Sequence, residues 1–259
     1  MKTKRLAIIL SIFAALVVVV VLCSTVFTIA RVELRFYNTP IKLNTLSATE
    51  VAKKGEFNYH ESVFVANKKL YTKNLEKTIP YIKVLQIETV FPNGMRVCAI
   101  ERSEVFAIEK QSGYVICDSD FKVLNFGVGS YTSSWSNPIL ITGLAQPLAD
   151  EYTSGRFIDK SAVAGMDKFA LLENAFYMHG LDLPDLLALV RSVSIAGSNL
   201  VLATHDGVQI LLHEAGSRLD AKVALALGVL ERLSSPERVT GQIVVFTDAD
   251  TGKLIGTYI

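Results

Sequence analysis

Excess charge of either sign is missing from this chain of 259 residues: 26 Lys and Arg stand against 25 Asp and Glu. Setting aside the three basic residues at Lys2, Lys4 and Arg5 leaves 23 against 25, so the remainder is nearly neutral too. That balance argues against a nucleic-acid binder held by a basic face. Cysteine is scarce as well. Cys23, Cys98 and Cys117 form no C-x-x-C pair and no Cys/His cluster, which removes the usual structural zinc patterns. The four histidines, His60, His179, His205 and His213, offer no i,i+4 pair on a helix. No G-x-S-x-G elbow, H-E-x-x-H or phosphate-cradling glycine loop stands where a wall-acting enzyme needs one. Carboxylates are plentiful, but spacing alone brings no two of them to one cleft as glycan hydrolysis requires. Internal repeats, low-complexity tracts and long linkers are absent.

What is present begins with a long apolar run. Half of the residues are apolar, enough for two modest domains or one large one. After a basic tail at 1–5, the stretch from Leu6 to Ala30 holds no charge. As a helix it would be roughly 37 Å long, against a hydrocarbon core of about 30 Å. The expectation is a signal anchor at 6–30 that spans the cell membrane once, with a cytoplasmic N-terminus and an extracytoplasmic bulk. A cleaved signal peptide would have a shorter apolar region, and a lipoprotein would need a small residue before Cys23, where Leu22 stands.

The next seventy-odd residues read as strand, helix, helix, strand, strand. Arg31 to Tyr37 alternates, and Ser47-Ala48-Thr49-Glu50 is a capping-box signature for a short helix ending at Gly55. Asn67 to Ile79 reads as a second helix, stopped by Pro80. Leu85, Ile87 and Thr89 then alternate with Gln86 and Glu88. Phe91-Pro92-Asn93-Gly94 turns the chain, Asn-Gly tolerating left-handed backbone, and Met95, Val97 and Ala99 return in a second arm.

From Val105 onward the composition is strands and turns. Short apolar runs at 105–108, 114–117 and 122–126 are separated by Gln111-Ser112-Gly113 and Asp118-Ser119-Asp120. Polar loops follow at 127–137 and 144–155. Helical spacing marks 163–179 and 221–233, strands mark 190–195, 200–204 and 208–213, and a final pair of strands flanks Asp248-Ala249-Asp250-Thr251-Gly252. That last segment is too short and too near the C-terminus for an EF-hand loop and reads as a hairpin turn. Cys98 and Cys117 read as two buried free thiols, with a bond between neighbouring strands as the alternative.

Several of these segments together resemble the FtsQ/DivIB bacterial cell-division family. Pro80-Tyr81-Ile82, Leu85, Ile87, Phe91-Pro92-Asn93, Val97 and Glu101-Arg102 follow its POTRA-domain pattern without a gap, with departures at Gly94 and Glu104. Gly113-Tyr114-Val115-Ile116, Asp118 and Val123-Leu124 match its next segment, although Phe121 sits where glycine is usual. Pro138 to Gly143, Asp206-Gly207, the helix bearing Lys222, and Asp250-Thr251-Gly252 with Leu254-Ile255-Gly256 match later ones. The family's D-L-R triplet is missing near Phe246-Thr247-Asp248.

The resemblance implies an α+β protein with a single N-terminal transmembrane helix, a β-α-α-β-β POTRA domain at 31–104, and a β-rich domain with flanking helices at 105–259. It implies a non-enzymatic, membrane-embedded scaffold of the divisome, at the division septum, with no catalytic residue, cofactor or metal and no nucleic-acid partner. Its partners would be coiled-coil division proteins of the FtsB/DivIC and FtsL type, linked to septal cell-wall synthesis, with other divisome proteins docking on the POTRA domain. The partner-binding residues would be Leu254, Ile255, Gly256, Thr257 and Tyr258, on a last strand that sits naturally at a sheet edge. Proline at Ile255 or Thr257 would remove a ladder donor wherever that N–H faces outward. The alternatives are a signal-anchored extracytoplasmic enzyme or sensor at the cell surface, and a POTRA-bearing export or assembly adaptor.

Overall fold

A computed structural model describes residues 2–110, 113–132, 136–144, 152–161, 163–234 and 237–259. Gln111, Ser112 and parts of the two expected polar loops, 133–135 and 145–151, lie outside the described residues, as do the side chains of the tail at 1–5. The chain divides into two compact units, Met1–Arg102 and Ser103–Ile259.

The first unit begins with helix α1 (Lys2–Thr25). Among the described residues, no helix is long and apolar enough to cross a membrane. This overturns the signal anchor at 6–30, and with it the single-pass placement in the cell membrane. The physical reason lies at the C-terminal end of the run. There, Phe27 to Ala30 belong to the folded unit. Val63 donates its N–H to Phe27 O, Ile29 donates to Glu61 O, Ala30 donates to Asn93 O, and Ile29 is buried.

Strand β1 (Arg31–Phe36), helices α2 (Ala48–Lys54) and α3 (Lys68–Thr78), and strands β2 (Ile82–Val90) and β3 (Gly94–Glu101) follow. The sheet order is β1-β3-β2, with β1 parallel and β2 antiparallel to the central β3. The helices cover one face, where Val51, Tyr71, Leu75, Ile82, Met95 and Val97 are buried together. Ser47 and Glu50 form a complete capping box at the start of α2, and the Asn67 side chain accepts from Leu70 N–H at the start of α3. The β2–β3 turn differs from expectation: neither Asn93 nor Gly94 is left-handed, and the Phe91–Pro92 peptide is cis. Gly94 sits in a tight place, since a Cβ there would stand 3.0 Å from Val90 O.

The Glu101-Arg102 pair closes this unit. The Glu101 carboxylate accepts from the backbone N–H groups of Ile41, Lys42 and Leu43 at 2.9–3.1 Å. Arg102 is buried, donates to Ile82 O at 3.2 Å and approaches Glu76 at 3.5 Å. Both side chains are thereby committed to holding the fold.

The second unit is one mixed nine-stranded sheet, of order β12-β11-β10-β9-β8-β7-β4-β5-β6. Its strands are β4 (Phe106–Lys110), β5 (Gly113–Cys117), β6 (Val123–Val128), β7 (Ile139–Thr142), β8 (Val190–Ala196), β9 (Asn199–Thr204), β10 (Gln209–Leu212), β11 (Gln242–Thr247) and β12 (Leu254–Tyr258). Helices α4 (Met166–Met178), α5 (Leu183–Leu189) and α6 (Leu219–Arg232) supply the rest of the core. Met166, Phe169 and Leu172 from α4 and Leu219, Val223 and Ala226 from α6 are buried with Ile210, Ile243 and Val245 of the sheet. Helix α5, absent from the reading of the sequence, is capped by Asp182 and Asp185 in a capping box, with a proline in its first turn. Cys98 in the first unit and Cys117 in the second are free and buried. Burial and the neighbouring Asp118 carboxylate hold the Cys117 thiol well above its usual range, so it is inert as a nucleophile.

Phe121 keeps the left-handed backbone that glycine would supply, at φ 59°. Its ring is fully buried, stacked on Phe106 at 4.6 Å and edge-on to Phe169 at 5.9 Å, while Asp118 Oδ1 accepts from Asp120 N–H and Lys122 N–H to shape the turn. A left-handed non-glycine residue costs about 1–2 kcal/mol, and deleting a buried ring costs about 3–5 kcal/mol. Phe121→Gly is therefore expected to destabilise the chain by about 1–4 kcal/mol in denaturant unfolding, although it restores the residue best suited to the turn.

A candidate docking edge

A sheet of nine strands has two edges, and they are finished differently. At β6, Val123 N–H bonds to Arg156 O and Gly155 N–H bonds to Val123 O, and Lys122 bridges to Phe157, so a neighbouring segment covers the start of the strand. Its pairing to β5 also carries two register irregularities. The other edge is β12. Among the described residues no segment pairs with its outer side, and Leu254 to Tyr258 contain no proline, no charge and no register break. Short length is the one customary edge protection it keeps.

The turn before β12 sets the phase of the ladder. Asp248 N–H donates to Lys253 O and Gly252 N–H donates to Asp248 O, both at 2.8 Å. At the far end, Gln242 and Ile259 exchange both N–H···O bonds at 2.9 Å. Hydrogen-bonded and open pairs alternate in an antiparallel ladder. With the register Phe246↔Ile255, Val245↔Gly256 and Val244↔Thr257, the N–H and C=O of Ile255 and Thr257 face β11. Those of Leu254, Gly256 and Tyr258 face outward. The condition on which proline at Ile255 or Thr257 would remove an outward donor is not met: their side chains are exposed, but their peptide groups are spent inside the sheet.

All five predicted residues thus lie on the edge strand, in two groups. Leu254, Gly256 and Tyr258 turn half-buried positions toward the helix side, and Ile255 and Thr257 turn exposed side chains to the opposite face. The first group also fastens the strand. A Cβ on Gly256 would stand 2.8 Å from Leu225 Cγ, so only glycine lets β12 approach α6 this closely. Tyr258 packs against the core and donates its hydroxyl to Glu237 O at 2.7 Å. Within the turn, Asp248 accepts from Thr251 Oγ1 at 2.6 Å and Asp250 N–H at 3.2 Å. Its oxygens serve the turn, and among the described residues no group of three or more His, Cys, Asp or Glu side chains could hold a metal.

Several polar groups elsewhere are also occupied. His179 Nε2 pairs with Asp220 O, and His205 Nε2 pairs with Leu187 O. Lys222 is buried and donates to His213 O, Glu214 O and Ser217 Oγ at 2.8–3.4 Å, pinning the loop that enters α6. Burial lowers its pKa. A cleft of about 390 Å³ beside α4 and α5 is lined in part by Lys160 and Glu173, which pair with each other at 2.9 Å. No protein-family model matches the chain, and no curated protein matches it.

The Thr251 hydroxyl, followed by the Asp250 N–H, holds the Asp248 carboxyl below the usual range. For a depressed carboxylate the contribution to stability is complete above the unfolded value, about 3.9, and is lost as pH falls through the folded value. The difference in unfolding midpoint between the wild type and Asp248→Asn is therefore expected to be constant above about pH 5 and to shrink below about pH 4. A pH series of chemical denaturation measures it.

Proposed function

We propose that this chain is a non-enzymatic interaction scaffold whose β12 edge captures an extended segment of a partner protein by strand addition. The observation that carries the reading is the uncovered row of peptide groups at Leu254, Gly256 and Tyr258, held in place by Tyr258–Glu237 and by the Gly256–Leu225 approach. Main-chain hydrogen bonds would supply affinity, and the alternate side chains Ile255 and Thr257 would supply selectivity on one face. The resemblance to FtsQ/DivIB names the setting: partners of the FtsB/DivIC and FtsL type, and a role linking them to septal cell-wall synthesis. The first unit, with its strand-helix-helix-strand-strand order, is the proposed docking site for other division proteins.

Proline scanning of β12 tests this against the chain's own geometry. Leu254→Pro removes an outward donor and leaves the β11 ladder intact, as does N-methylglycine at position 256, introduced by ligation of a C-terminal peptide without adding a Cβ. Either is expected to weaken capture of an FtsB/DivIC-type partner at least tenfold with little change in thermal stability. Ile255→Pro and Thr257→Pro remove inward donors and are expected to lower stability as well. Undiminished capture by a folded Leu254→Pro chain and by the N-methylated chain would sink the reading.

A further inference from the structure

Charge is divided unevenly between the two units. Met1–Arg102 holds 15 Lys and Arg against seven Glu and no Asp, whereas Ser103–Ile259 holds 11 against 18. In the first unit every carboxylate is engaged by a group other than the helical lysines. Glu33 and Glu88 hold Arg96, and Glu76 approaches Arg102 and accepts from Val84 N–H. Glu101 accepts from the backbone of Ile41 to Leu43, and Glu50 closes the capping box of α2. Glu61 accepts from the Tyr71 hydroxyl, and Glu56 accepts from Asn74 Nδ2 at 3.0 Å. Six lysines, Lys53, Lys54, Lys68, Lys69, Lys73 and Lys77, have no ion-pair partner among the described residues.

Three of the six sit where a helix favours a cation, Lys53 and Lys54 in the last turn of α2 and Lys77 in the last turn of α3. The others do not. Lys68 and Lys69 occupy the first turn of α3, at the positive end of the helix dipole, with no acidic residue there to offset them. Lys69, Lys73 and Lys77 then follow at i, i+4 and i+8, all exposed, a spacing at which like charges repel. They form one row about 12 Å long. Leu70 lies beside it, three residues before Lys73 and seven before Lys77, with 47% of its surface exposed. Lysines held against the preference of their own helix break a local rule, and such breaks are expected at functional sites.

We propose that this side of α3 binds an acidic, amphipathic helix of a partner protein. Carboxylates four residues apart on such a helix repeat every 6 Å or so, about the spacing of the lysine row. An apolar side chain set among them would cover Leu70. A smooth polyanion or a phosphate surface matches the charge but has nothing to place on Leu70. Charge complementarity of this kind steers encounter and fixes register more than it adds affinity, and it weakens with salt. The inference rests on the reading of the first unit as a docking module and not on strand capture at β12.

Fluorescence anisotropy of the full chain with a labelled helical peptide tests this. The peptide carries Glu at three positions four apart and a Leu beside them, and its control is a scrambled peptide of the same composition. The patterned peptide is expected to bind about tenfold more tightly than the scrambled one, and less tightly as salt is raised. Lys73→Glu is expected to weaken binding about tenfold, and Arg191→Glu, the same charge change at an exposed position of the second unit, to leave it unchanged. Lys69→Glu is the sharper variant. It puts a carboxylate in the first turn and a Glu–Lys pair at i,i+4, so it is expected to weaken binding while raising the unfolding midpoint. Leu254→Pro, which weakens strand capture, is expected to leave peptide binding as it is. A patterned peptide that does not bind, or that binds regardless of both lysine variants, would overturn the proposal. Equal binding of the scrambled peptide or of polyglutamate would make the row a general polyanion surface, and lysine-dependent binding of phosphatidylglycerol vesicles without the peptide would make the occupant a lipid. Either result overturns the helical partner, as would self-association of the chain that Lys69→Glu abolishes, which would put another copy's acidic second unit in its place.

Discussion

An antiparallel ladder satisfies only every second peptide group of its outermost strand, and everything distinctive about the second unit follows from that constraint acting on β12. The Asp248–Lys253 and Gln242–Ile259 bonds fix the phase. Once they are made, Ile255 and Thr257 bond inward and Leu254, Gly256 and Tyr258 bond outward, with no intermediate choice. The outward groups are exposed to water and so carry no desolvation penalty in the free chain. A partner strand would replace that water with main-chain bonds, each of modest net value, about 0.5–1.5 kcal/mol. Three such residues alone give weak binding, so side-chain contacts on the two faces must add to it.

An edge strand of five residues is useful only if it is held flat and in register. Three contacts do this from three directions. The Asp248 turn fixes one end, Tyr258 reaches over Gly241 to Glu237 O near the other, and Gly256 lets the middle settle against Leu225 on α6. The buried Lys222 acts one layer further back, holding the loop from which α6 starts. Four positions with the look of chemistry, Glu101, Arg102, Lys222 and Asp248, thus turn out to serve backbone geometry. Their partners are peptide groups, other side chains of the fold and a turn hydroxyl.

Local signals in the sequence were legible wherever a short stretch determines its own conformation. The Ser47–Glu50 capping box, the stop at Pro80 and the return of Met95, Val97 and Ala99 as buried positions of a second arm have counterparts in the structure, whereas the alternation of the first arm breaks at Leu85, which sits at a register shift and is exposed. Helix α5 was missed because seven residues show too little periodicity. Its one usable signal was Asp182 and Asp185 around Pro184, a proline tolerated where the first-turn N–H has no helical partner anyway. The apolar run at 6–30 misled for a different reason: apolar composition does not distinguish a membrane span from residues such as Ile29 that fill a core. The edge position of 254–258 follows from being last in the chain, but the direction of each N–H does not. Side chains and peptide groups both alternate with period two, and only the closing pair of the turn sets their relative phase.

The most direct test of the central claim is residue-resolved amide hydrogen exchange along β12, with and without an FtsB/DivIC-type partner. In the free chain, Ile255 and Thr257 should be protected by the β11 ladder, and Leu254, Gly256 and Tyr258 should exchange rapidly. On binding, those three should slow sharply while Ile255 and Thr257 change little. Binding that leaves Leu254, Gly256 and Tyr258 exchanging as fast as before would contradict strand addition at this edge.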